Sequence, residues 1–201
     1  MTRTRFFASL LTTGSMVVLA LGAAAPASAV PIAYYATLSG AAEDPPNASP
    51  GTGKAIVTVD DVANTMRVQV DFSGLLAGVT AAHIHCCTAV SGSGLVGVAT
   101  QTPSFSGFPS GVTAGSYDHT FDLGLDSSYR AGFVTANGGS AAGAEAALLA
   151  GLAAGKAYLN IHSSVFPGGE IRGFLVPEPT SLVLFGLGIA GLAAARRRGL
   201  S

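Results

Sequence analysis

The chain has 201 residues, 49% hydrophobic and only 10% charged, with 27 glycines, 10 prolines, 2 cysteines and no tryptophan. Its formal net charge of -1 at pH 7 hides an asymmetry: residues 30–176 carry five basic side chains against ten acidic ones, and the other arginines sit at the two ends. An acidic middle excludes nucleic-acid binding, which rests on Lys and Arg at phosphates. The lack of tryptophan excludes an indole platform for sugars.

The first element is a leader. Arg3 and Arg5 form a basic start, Phe6 to Ala25 is largely apolar, and Ala27-Ser28-Ala29 fits a small-x-small cleavage site. This pattern predicts a secretory signal peptide over residues 1–29, exported by the Sec machinery and removed by signal peptidase. One domain, residues 30–176, follows and is long enough to bury a core.

Ile32 to Leu38 is a strand candidate, and the proline- and glycine-rich stretch Glu43 to Gly53 is a loop. Lys54 to Asp60 and Thr65 to Phe72 read as a hairpin turning at Asp61 to Asn64. The second arm alternates, with Met66, Val68, Val70 and Phe72 on one face and Arg67, Gln69 and Asp71 on the other. Thr80 to His85 and Leu95 to Thr100 read as strands, Gln101 to Gly115 as a loop, and Ser116 to Leu123 as a strand. Ser140 to Ala154 is an Ala/Leu-rich helix that Ser140 can cap and Gly155 can stop. Ala157 to His162 and Glu170 to Leu175 are closing strands joined by a Pro167-Gly168-Gly169 turn. Many short strands separated by turn signals predict an all-β sandwich or barrel.

The last element is Pro177-Glu178-Pro179, an uncharged apolar run from Thr180 to Ala195, and Arg196, Arg197 and Arg198. Sixteen helical residues reach about 24 Å, against a hydrocarbon core of about 30 Å. The expectation is a short transmembrane helix that anchors the chain transiently in the inner membrane, its arginines on the cytoplasmic side. Residues 177–201 resemble the PEP-CTERM sorting signal of Gram-negative bacteria in order, spacing and terminal position. The resemblance implies processing by an exosortase and delivery to the cell surface or an exopolysaccharide matrix, with exopolysaccharide or other surface proteins as partners.

Within the domain, LSGAAEDPP at 38–46, TAAHIH at 80–85 and AYLNIHSSVFPGGEIRG at 157–173 resemble the CHRD domain, first described in chordin. The resemblance implies an immunoglobulin-like or superoxide-dismutase-like antiparallel β-sandwich and no settled biochemistry. This chain departs from the family pattern at Cys86-Cys87, and the helix at 140–154 is an insertion.

The chemistry candidates cluster around TAAHIHCCTA. His83 and His85, two apart on a strand, share a face with Cα atoms about 6.6 Å apart. That spacing suits two ligands of one ion, and Ile84 then faces the core. His162 ends a later strand and is the candidate third ligand; Asn160 or Glu170 can add an oxygen. Imidazoles in this setting suit copper or zinc. The competing reading is a hydrogen-bonded polar network. A superoxide-dismutase-like redox enzyme is a further alternative, but its two-metal site needs more imidazoles than these, and His119 shows no sign of belonging. Cys86 and Cys87 are the chain's only cysteines, with adjacent Cα atoms about 3.8 Å apart, below the roughly 4.4–6.8 Å of ordinary disulfides. Three states stay open: a vicinal disulfide in an oxidising compartment, pairing with another chain, or thiols that join the histidines on a soft metal. Glu170 and Arg172 alternate around Ile171, which points to a structural role. No nucleophile elbow, phosphate loop, zincin motif or calcium loop is present. The expectation is a non-enzymatic module.

Overall fold

A computed structural model describes residues 30–177 of the chain. The strands are β1 (Ile32–Ser39), β2 (Thr52–Asp60), β3 (Thr65–Ser73), β4 (Val79–His85), β5 (Gly115–Asp122), β6 (Tyr158–Ser163), β7 (Ile171–Phe174) and β8 (Val176–Pro177). Two helices, α1 (Ala131–Ala136) and α2 (Ala141–Ala153), lie between β5 and β6.

The β2–β3 hairpin follows from its alternation. Ala55, Val57 and Val59 of β2 and Met66, Val68, Val70 and Phe72 of β3 are buried on one face. Each large apolar side chain so removed from water contributes about 1.5–3 kcal/mol. The turn is closed by Asp60, whose carboxylate accepts from the backbone N–H groups of Val62 and Ala63 at 3.1 and 2.9 Å. Asn64 supplies the left-handed residue, at φ 51°, a conformation asparagine tolerates better than most.

The expected two-sheet sandwich is corrected. The eight strands form one antiparallel sheet in the order β4-β6-β7-β1-β2-β3-β5, with β8 added on β1. Strand β1 causes the continuity. It pairs with β2 along its whole length, while its other side takes β7 through Ser39 and Arg172 and β8 through Tyr35 and Val176. The two halves that would have been separate sheets are therefore joined edge to edge. The sheet curls as a half-barrel around one core, which draws Ile84 from the β4 edge and Tyr117 and Phe121 from the β5 edge. The segment between these edges closes the gap: the backbone N–H of Phe105 donates to Ala82 at 3.0 Å, while its ring lies 5.3 Å from that of Phe121.

Two further details differ from expectation. Among the described residues there are two α-helices rather than one inserted helix, α1 being short and without a marked sequence signal. The segment Leu95 to Thr100 makes isolated bridges, His85 with Val98 and Thr100 with Tyr129, instead of a strand. Helix α2 starts where Ser140 accepts from Gly143 N–H at 3.3 Å and buries Ala141, Ala144, Leu148, Gly151 and Leu152, one face at helical spacing. Gly155, at φ 64°, turns the chain after it.

The expected membrane-spanning tail is also corrected. Among the described residues no helix is long and apolar enough to cross a membrane, and Thr180 to Ala195 lies outside them. The transient inner-membrane anchoring, and the inner-membrane intermediate with Arg196–Arg198 on the cytoplasmic side, find no such helix among the described residues. Of the sorting motif only Pro177, on β8, is described; Glu178, Pro179 and the arginines lie outside, as does the leader at 1–29.

Glu170 and Arg172 fasten loops to the β6–β7 end of the sheet. The fully buried Glu170 carboxylate accepts from Ser49 Oγ at 2.7 Å and from Leu76 N–H at 2.5 Å. Arg172 donates to the carbonyls of Ala42 and Gly94 at 2.5 and 3.0 Å. It also stands 3.8 Å from the Glu43 carboxylate.

Candidate metal centre

Strands β4 and β6 run side by side with His83 opposite Asn160, Ala81 opposite His162 and His85 opposite Tyr158. Ala82 and Ile84 turn inward to the core, so the pleat turns His83 and His85 outward on the face that His162 shares. The three rings lie close together. Their centroids are 5.9 Å apart for His83 and His85, 5.3 Å for His83 and His162, and 5.9 Å for His85 and His162. One ring nitrogen from each falls within 4.8 Å of the others.

One nitrogen of each ring is committed. His83 Nε2 meets the Pro103 carbonyl at 2.6 Å, His85 Nδ1 the Val96 carbonyl at 2.8 Å, and His162 Nδ1 the Pro167 carbonyl at 3.0 Å. A carbonyl only accepts, so each committed nitrogen carries the proton. The opposite nitrogens, His83 Nδ1, His85 Nε2 and His162 Nε2, then hold lone pairs. These same three atoms are buried without a hydrogen-bond partner. His83 and His85 are 6% and 8% exposed; the His162 residue is more open, but its Nε2 is shielded.

Burial pushes the His83 and His85 imidazoles down to about 4, against the upward pull of their carbonyl partners. Burial lowers His162 as well. All three are neutral near pH 7, the form that ligates metal. His85 is further fixed by stacking on Tyr158, centroids 4.7 Å apart and planes within 7°, and the Arg172 guanidinium covers that tyrosine at 4.8 Å.

The remaining candidates fall apart spatially. Cys86 and Cys87 are joined as a disulfide, and the sulfurs face α2. Cys87 Sγ lies 3.5 Å from the Ala147 carbonyl, and a Cβ at Gly151 would overlap both sulfur atoms. A mixed histidine–thiol site is not assembled. Of the two possible oxygen donors, Glu170 gives Oε1 to Ser49 and Leu76 and keeps Oε2 buried without a partner, and Asn160 is buried with Oδ1 likewise unpartnered. His119 sits on β5, at the opposite edge of the sheet, so the four-imidazole arrangement of a superoxide-dismutase-like enzyme is absent among the described residues. The carbonyls of Val96, Pro103 and Pro167 left no mark in the sequence, because any residue supplies one.

These features define an antiparallel β module with a buried imidazole cluster. The CHRD domain family matches residues 34–175, and the chain belongs to that family. The PEP-CTERM protein-sorting motif matches residues 175–198. No curated protein and no solved structure matches the chain. It is an exported CHRD-domain protein sorted to the cell surface through the exosortase system, and its CHRD domain is a non-catalytic module.

Proposed function

We propose that this surface-sorted module binds a single copper or zinc ion through His83 Nδ1, His85 Nε2 and His162 Nε2. One observation carries the reading: the three imidazoles each bring a ring nitrogen within 4.8 Å of the others, and each keeps one buried nitrogen without a hydrogen-bond partner while a carbonyl holds the opposite one. A polar network alone would leave each of these atoms unsatisfied, at about 1–3 kcal/mol apiece. An ion satisfies all three at once, and the carbonyls are the outer-shell partners that histidine ligands usually have. Residues 1–29 are read as the leader, 30–176 as the module that carries the centre, and 177–201 as the sorting tail. The test is titration of the purified exported protein with Zn(II) and Cu(I), followed by calorimetry and metal analysis. The expected result is about one equivalent bound, lost in both His83→Ala and His162→Ala. Equal, negligible binding by wild type and variants would refute it.

A further inference from the structure

Cys86 follows His85 directly, yet the disulfide looks away from the imidazoles and into α2. The fit there is tight. Gly151 of α2 faces both sulfurs, and it has no room for even a methyl group. The loop leaving the disulfide stays on the end of α2. Thr88 N–H donates to the Lys156 carbonyl at 3.0 Å, Gly92 N–H to the Gly155 carbonyl at 3.0 Å, and Ser91 Oγ to the same Gly155 carbonyl at 3.2 Å. It then returns beside β4, where Cys86 N–H donates to Gly97 at 3.3 Å and the Val96 carbonyl holds His85 Nδ1.

We propose that the Cys86–Cys87 disulfide is a redox latch: it docks α2 through Gly151 and thereby holds the loop that orients His85 for metal. The metal half of this rests on the three-histidine reading; the docking half does not. The reductant is a dithiol. The sulfur–sulfur bond breaks, each cysteine sulfur takes one electron and one proton, and the dithiol closes to its own disulfide. Two thiols at van der Waals separation need more space than a bonded pair, and the slot at Gly151 has none. Helix α2 moves off, the contacts at Gly155 and Lys156 loosen, and the Val96 carbonyl no longer fixes His85. The exported metal centre then releases its ion under reducing conditions and regains it on oxidation.

The test uses the full exported chain, oxidised, and then reduced with dithiothreitol that is removed anaerobically. Hydrogen exchange reads the protection of residues 141–153, and Co(II) absorption reads metal affinity. Reduction is expected to strip protection from α2 and weaken Co(II) binding about 10–100-fold, the usual effect of losing an outer-shell partner, with both restored by reoxidation. Gly151→Ala is expected to lower α2 protection while the protein still shows no free thiol. Unchanged α2 protection on reduction, or wild-type protection in Gly151→Ala, overturns the latch. Loss of α2 protection with Co(II) affinity unchanged overturns its coupling to the metal. If the oxidised protein binds no Co(II), the three-histidine reading fails, and the exchange data alone decide whether the disulfide docks α2.

Discussion

A buried imidazole that refuses a proton makes stability depend on acidity. An unfolded histidine ionises near 6.5, whereas folded His83 and His85 do so near about 4. Between these values the unfolded chain of the metal-free protein binds protons that the folded chain does not. Stability is full above about 6.5 and falls as pH drops toward 4, by about 3 kcal/mol per imidazole at the limit. Urea denaturation of the metal-free protein at pH 7 and pH 4.5 checks this; equal midpoints would contradict it. Glu43 acts in the opposite sense. Burial raises its carboxyl from 4.5 to about 7 against the pull of Arg172, so its contribution is present below 4.5 and lost as pH rises through 7. Glu43→Gln is therefore expected to stabilise the protein at pH 8 by about 1–3 kcal/mol relative to its effect at pH 5. Denaturant curves at the two pH values would show it.

At the scale of elements, the sequence exposed the hairpin and α2 well, because their signals are local. Alternation along β3 has a period that only a half-buried strand explains, and Ser140 and Gly155 punctuate α2 where helix ends need them. The three-histidine meeting was readable as a possibility, since His83 and His85 share a strand face. That His162 faces Ala81, one pleat from His83, depends on the β4–β6 register, which no residue spacing encodes. Helix α1 went unread because its six residues carry neither a cap nor a periodic stripe. Glu170 shows how a residue next to a turn can organise several elements. Glu170→Ala leaves Ser49 Oγ and Leu76 N–H without their acceptor and is expected to cost about 2–4 kcal/mol, measurable by thermal or urea unfolding. A loss under about 0.5 kcal/mol would mean the loops at 47–51 and 73–78 hold themselves.

For the whole molecule, the decisive feature is one that strand counting does not reveal. Composition and turn spacing announced many antiparallel strands, but whether they make two sheets or one depends on which edges meet, and β1 meets β2, β7 and β8. The two halves share that strand and one core. Unfolding monitored at the β2–β3–β5 side and at the histidine side is therefore expected to give coincident transitions. Amide exchange at Val68 and at Ile161 against denaturant would test this, and distinct midpoints would show that β1 does not couple them. The carbonyls that grip the imidazoles have a different consequence. Val96, Pro103 and Pro167 contribute through atoms that every amino acid owns, so a substitution scan of side chains would pass over them in silence. Such a scan would report three isolated histidines, when half of what shapes them is the path of the main chain.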